Sequence, residues 1–310
     1  MTSSPAVRVT ELRKSYGHFT AVDGVSFEIE RGETFALLGP NGAGKSTTVE
    51  ILEGYRERSG GEVEVLGADP RHATLEWKAR IGIVLQQTGE SGNVTVREQL
   101  THFAALYPNP RAVDEVLAAV GLKSLSGGQR RRVDVALGVI GRPELLFLDE
   151  PTTGFDPEAR RQFWELIRSL SREGTTIVLT THYLDEAAQL SDRAAVIAGG
   201  RLIDIGPVGE LGTADARVPI VQWRDSGVLR RQRTTEPGRF VADLVARDGE
   251  VAELEVIRPS LEDIYLGLVE AAGATAAAAT DPTDTRAPAE SAAGTRVPTE
   301  STATTNGARS

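Results

Sequence analysis

Three stretches of the chain carry residue types and spacings that could do chemistry. Gly39-Pro40-Asn41-Gly42-Ala43-Gly44-Lys45-Ser46, followed by Thr47, fits the spacing G-x-x-x-x-G-K-[ST]. Its glycines let the backbone wrap phosphate oxygens with inward N–H groups, and a helix beginning near Gly44 adds the positive end of its dipole. Lys45 can then reach the β- and γ-phosphates, and Ser46 offers a hydroxyl to Mg²⁺. A second stretch, Leu145-Leu146-Phe147-Leu148-Asp149-Glu150, is an apolar run that ends in two carboxylates. Acids at the C-terminal end of a buried strand lie where α/β sheets bind ligands. Asp149 suits the metal, and Glu150 suits a base that takes a proton from water attacking a terminal phosphate. The third stretch, Leu125-Ser126-Gly127-Gly128-Gln129, leads into a helical pattern at Val133, Ala136, Leu137 and Ile140. Small residues at a helix N-terminus present free N–H groups, so this is either a second anion site or a plain helix cap with a pliant lead-in. Two phosphate-binding devices this far apart in one chain suggest a nucleotide held between two copies.

The elements that must position these residues can be read from the patterning. Thr34 to Leu38 is a continuous apolar run directly before the glycine loop, which predicts a strand buried on both faces, then loop, then helix. Ile81 to Leu85, Leu145 to Leu148 and Thr176 to Leu179 repeat the same short runs between helical patterns, and a parallel α/β core follows. Alternation over Ala6 to Leu12 and over Val22, Val25, Phe27 and Ile29 predicts an antiparallel hairpin or small edge sheet. Helices expected at Val96 to Leu106 and Val113 to Val120 form a helical insertion between the second and third core strands. Asp156-Pro157 caps a helix whose Phe163, Leu166, Ile167 and Leu170 share one face and which stops at Gly174. Beyond Leu211, strands at Val218 to Val221 and Val251 to Ile257 and a helix at Pro259 to Val269 predict a small α+β appendage. From Ala271 onward Ala, Thr, Pro and Gly dominate, and this composition predicts a disordered tail. Trp77, Trp164 and Trp223 are expected to serve packing.

Composition narrows the function classes. The 310 residues are 40% hydrophobic, enough for one large core or two smaller ones. There is no cysteine, which excludes thiolate metal sites, disulfides and cysteine nucleophiles. The net charge of -10 argues against non-specific nucleic-acid binding and against docking on an anionic leaflet without a protein partner. No uncharged apolar run approaches the roughly 20 residues of a spanning helix, and the first residues lack the pattern of a signal peptide. The expectation is a chain neither secreted by that route nor integral to a membrane. Arg130 to Arg132 are read as a solvated or phosphate-facing surface.

With its motifs in this order, the chain resembles the nucleotide-binding subunits of ABC transporters over about residues 6–212. The resemblance implies a P-loop NTPase cassette of α/β class with a parallel core sheet, an antiparallel β edge sheet and a helical subdomain at about 90–142. A C-terminal α+β domain at 213–270 and a tail at 271–310 would follow. It implies ATP as substrate and Mg²⁺ as cofactor. Tyr16 looks like the aromatic that stacks on adenine, and Gln86, with Gln87 beside it, like the glutamine that touches Mg²⁺ or the attacking water. His182 in Thr180-Thr181-His182 resembles the switch histidine on the γ-phosphate, so Glu150, His182 and Gln86 form the implied catalytic set. Ser126, Gly127, Gly128 and Gln129 resemble the signature that binds the opposite subunit's ATP. Thr153 to Asp156 resemble the loop across the seam of a head-to-tail homodimer. A multi-spanning permease would be the other partner, at the cytoplasmic face of the membrane, with no nucleic acid involved. Gly127 to Ala136, Pro151 to Pro157 and Arg258 to Tyr265 look like the bacterial drug-export branch typified by daunorubicin resistance. A soluble ATPase acting on ribosomes or DNA, or a weakly hydrolysing regulator, is the rival reading. The chain departs from the family where only Lys123 and Ser124 separate Gly121-Leu122 from the signature.

Overall fold

The computed structural model describes residues 4–84, 94–121 and 130–279. In chain order the elements are β1 (Val7–Tyr16), β2 (Phe19–Ile29), β3 (Thr34–Leu38), α1 (Lys45–Leu52), β4 (Gly60–Val65), α2 (Leu75–Lys78) and β5 (Ile81–Val84). Then come α3 (Val96–Ala104), α4 (Val113–Ala119), α5 (Arg130–Val139), β6 (Leu145–Asp149), α6 (Pro157–Arg172), β7 (Thr176–Thr180) and α7 (Leu184–Leu190). The chain continues through β8 (Arg193–Ala198), β9 (Arg201–Pro207), β10 (Ile220–Asp225), β11 (Val228–Arg233), α8 (Pro237–Asp248), β12 (Ala252–Ile257) and α9 (Leu261–Ala279).

The central sheet has six strands in the order β5-β6-β7-β3-β8-β9. The first five are mutually parallel and β9 pairs antiparallel with β8. Strict alternation sends one set of side chains to each face. Ala36, Leu38, Leu146, Leu148, Ile177 and Leu179 enter a cluster with α5, α6 and α7. Phe35, Leu37, Leu145, Phe147 and Val178 enter the opposite cluster with α1 and the second sheet. That sheet is β2-β1-β4, antiparallel throughout. The fully buried runs of β3, β7 and, up to Leu148, β6 therefore follow from helices or sheet covering both faces.

Several elements depart from the sequence expectation. β4 joins the hairpin as a third strand; its Gly60-Gly61 start and alternating glutamates leave only Val63 and Val65 buried, a weak signal. β8 and β9 form a hairpin through Gly199-Gly200, both at positive φ, the conformation a two-residue turn between twisted strands favours. The core is thus parallel with one antiparallel edge. β11 is exposed along its whole length, so no alternation announces it. It adds a strand to the small C-terminal sheet, whose order is β11-β10-β12, and α8, with Leu244 buried, packs on β10. The helix expected to close near Val269 continues to Ala279, so residues 271–279 are helical where a tail was expected. Alanine is the strongest helix former, and an Ala-rich run needs no large apolar residue to extend a helix already docked.

The helical insertion comprises α3, α4 and α5, lying between β5 and β6. α3 starts with reciprocal capping between Thr95 and Glu98. Asp156 caps α6 as its sequence predicts, accepting from the N–H groups of Glu158 at 2.9 Å and Ala159 at 2.8 Å. Trp77 and Trp223 pack as expected, Trp77 buried with its indole donating to the Val65 carbonyl at 2.8 Å and Trp223 tilted against Phe240.

Candidate active site

The loop between β3 and α1 is held by close backbone approach. Gly44 precedes α1 at φ 103, and a Cβ there would lie 2.4 Å from the Ala21 carbonyl oxygen of β2. Lys45 begins the helix, is 7% exposed and donates through Nζ to the carbonyls of Gly39 at 2.7 Å and Pro40 at 3.1 Å. Burial lowers the Lys45 pKa, and the carboxylates of Glu150 and Asp149 oppose that shift. The ammonium, bonded to the loop carbonyls, therefore feels the charge of the two acids at the end of β6.

Those acids are positioned differently. Asp149 is the last residue of β6, paired in register with Thr180 of β7. The Thr180 hydroxyl donates to Asp149 Oδ1, which orients the carboxylate. Glu150 leaves the strand at φ 44, a left-handed backbone that a glutamate seldom adopts. Its N–H donates to the Thr180 carbonyl at 3.0 Å, holding that conformation. Its Oε1 lies 3.4 Å from Nδ1 of His182, which follows β7. Parallel pairing of β6 with β7 thus brings Glu150 and His182 together across 32 positions of sequence.

A cavity of about 650 Å³ gathers these groups. It is lined by residues 41–47 together with Tyr16, Phe19, Ala21, Glu150 and His182. Tyr16, at the end of β1, is 41% exposed, with Lys14 Nζ 5.0 Å and the Arg56 guanidinium 5.4 Å from its ring centre. One end therefore offers an aromatic face and the other offers backbone N–H groups, a lysine, a carboxylate and an imidazole. That layout suits a molecule with an aromatic base and a charged phosphate end.

Ser46 and Asp149 supply a hydroxyl and a carboxylate, hard oxygen donors that suit Mg²⁺. Among the described residues no group of three or more His, Cys, Asp or Glu side chains could hold a metal alone. The donor set fits a cation that completes its shell with phosphate oxygens and water. Gln86, Gln87 and the signature residues Ser126, Gly127, Gly128 and Gln129 lie outside the described residues, as does the Lys123-Ser124 link. Of the loop expected at a dimer seam, Phe155 packs edge-on against Phe163 of α6, their ring centres 5.8 Å apart.

Three contributors escaped the sequence reading. Thr180 orients Asp149, and only the strand register shows it. Glu53, just after α1, is 6% exposed, and burial with the Asp149 charge nearby pushes its pKa up to about 8. Glu186 of α7 is fully buried; burial raises its pKa against the pull of the Thr181 and Thr152 hydroxyls and the Trp164 indole. Thr180 stands in the Thr180-Thr181-His182 stretch but its own role is set by strand register, and Glu53 and Glu186 belong to no motif because their burial comes from elements distant in sequence.

A family model described as ABC transporter matches residues 22–153. The chain is 41% identical over 234 residues to the Nod factor export ATP-binding protein I of Ralstonia nicotianae, covering 71% of this chain and 73% of that protein. It is 42% identical over 219 residues to the daunorubicin/doxorubicin resistance ATP-binding protein DrrA of Streptomyces peucetius, covering 66% of each. A dimeric ATP-binding cassette, MJ0796, in a post-hydrolysis state with ADP and Pi superposes with a TM-score of 0.59 at 24% identity, over 65% of this chain and 98% of that one, which bears on the fold. Shared identity of this extent with two export ATP-binding proteins, on a cassette fold, means that the chain belongs to the ABC transporter family and is one of its ATP-hydrolysing subunits.

Proposed function

We propose that this subunit energises a separately encoded multi-spanning permease that exports a drug or another small hydrophobic compound, working as a head-to-tail homodimer around two Mg·ATP at the cytoplasmic face of the membrane. The observation that carries the reading is one cavity shared by Tyr16, the phosphate loop, Glu150 and His182. In this scheme Tyr16 stacks on adenine, while the N–H groups of Gly39 and of 41–44, with Lys45, Ser46 and Thr47, hold the phosphates. Ser46 and Asp149 hold Mg²⁺, joined by Gln86. When bound, Mg²⁺ neutralises phosphate charge. Glu150 takes the proton of the attacking water, and His182, 3.4 Å from it, faces the terminal phosphate. Ser126 to Gln129 of the partner copy would cover the same ATP. Relatives named for Nod factor export and for daunorubicin/doxorubicin resistance support export. Among the described residues no helix is long and apolar enough to cross a membrane, in keeping with a permease carried on another chain.

The test is transport in inverted membrane vesicles holding this chain and its co-purifying membrane protein, with daunorubicin as probe. ATP-dependent uptake should appear and should be lost with Lys45→Ala, because the ammonium that binds phosphate is removed. Uptake that persists in Lys45→Ala, or an absent membrane partner, would contradict the reading.

A further inference from the structure

The C-terminal helix reaches the nucleotide site from behind. α9 begins after Pro259, where the Asp263 carboxylate accepts from the N–H of Ser260 at 2.8 Å and its hydroxyl at 2.7 Å. Leu261, Ile264, Tyr265, Leu268 and Val269 form one helical face, and all five join the cluster beneath the central sheet. Ile264 is 7% exposed and comes so close to Gly212 that a Cβ there would lie 2.6 Å from its Cγ2. The helix is therefore docked firmly on the cassette, against α7, β8 and β9. Tyr265 also forms one wall of a second cavity of about 190 Å³, whose other walls are Gly39, Pro40, Asn41, Thr181, His182 and Leu184. Pro40 and Gly39 are the carbonyls that hold Lys45, and His182 is the imidazole beside Glu150. One ring, carried by an element 83 positions beyond His182, thus stands where the phosphate loop meets the switch loop.

We propose that Tyr265 is a positioning residue for ATP hydrolysis: its ring holds the switch loop at Thr181-His182 against the back of the phosphate loop, so the C-terminal domain sets the turnover of the site in its own chain. The inference rests on the reading of His182 as the residue that faces the terminal phosphate. The ring closes one wall of the space between the two loops, and its loss enlarges that space and leaves the switch loop more room to move. Misplacement of a reacting group by about 1 Å can slow a reaction about 100-fold.

The experiment is steady-state ATP hydrolysis by the full chain with Mg·ATP, expressed per ATP-binding site titrated. Tyr265→Ala should lower kcat about 10- to 100-fold with KM for ATP near the wild-type value, while Tyr265→Phe, which keeps the ring, should restore kcat. In a double-mutant cycle, Tyr265→Ala should add nothing to His182→Ala, since both act through one group. Tyr265→Leu keeps an apolar anchor for α9 and replaces the alanine variant if that one fails to fold. An unchanged kcat, a rise in KM alone, no rescue by phenylalanine, or full additivity with His182→Ala would overturn the proposal. A His182→Ala variant that hydrolyses ATP like the wild type would instead remove the switch reading itself, and that arm is read separately.

Discussion

Glu53 shows how a single residue outside every motif can make the stability of the fold depend on pH. Its carboxyl is buried near the Asp149 charge, and its pKa is pushed from 4.5 up to about 8. Below about pH 4.5 the group is neutral whether the chain is folded or not. Between 4.5 and about 8 the unfolded chain has released the proton and the folded chain retains it, so this residue's contribution to stability falls as pH rises and levels off above 8. Glu53→Gln should flatten that decline and raise the melting temperature at pH 8 more than at pH 5. Equal shifts at both pH values would show that Glu53 is ionised in the fold. Glu150 shows the opposite use of a carboxylate: its positive φ is strain retained at the position of the proposed base, and the Thr180 carbonyl maintains it.

At the scale of elements, the loop between β3 and α1 depends on two glycines for different reasons. Gly42 has φ 78 and open space around a Cβ, whereas Gly44 has φ 103 and the Ala21 carbonyl 2.4 Å away. Gly42→Ala should therefore cost about 1 kcal/mol of conformational strain. Gly44→Ala should destabilise further, because β2 or α1 must shift, and should abolish ATP binding. Denaturant melts with ATP titrations would check this, and equal effects of the two substitutions would refute the close-approach account. The same contrast governs what could be read in advance. β3, β6 and β7 were legible because burial on both faces leaves runs such as Phe35-Ala36-Leu37-Leu38, and the phosphate loop was legible because its chemistry is local. β4, β11 and α8 were not, since β4 alternates over only Val63 and Val65, β11 buries no residue and α8 buries only Leu244. Thr180, Glu53 and Tyr265 matter only through register and packing, which spacing along the chain does not encode.

In the whole molecule, α9 is part of the cassette's packing rather than an appended tail. Truncation before Leu261 strips the buried Ile264 and the partly buried Tyr265, Leu268 and Val269 from the main cluster, where a fully buried side chain is worth about 1.5–3 kcal/mol and a partly buried one less. It should lower the melting temperature by many degrees, whereas truncation before Thr280 removes a stretch whose only large apolar residue is Val297 and should change neither melting nor hydrolysis. Thermal melts of the two truncations separate these cases, and equal melting temperatures would contradict the docking of α9. In the proposed cycle two copies close on ATP, and Glu150 opens them by driving hydrolysis. Glu150→Gln keeps the side chain's size and hydrogen-bonding shape but removes the proton acceptor, leaving Lys45, Ser46 and Asp149 to hold Mg·ATP. The decisive measurement is light scattering on Glu150→Gln with and without Mg·ATP, alongside its hydrolysis rate. The account predicts hydrolysis reduced at least about 100-fold and a dimer that forms only with Mg·ATP; hydrolysis near the wild-type rate, or a chain that stays monomeric while binding ATP, would contradict it.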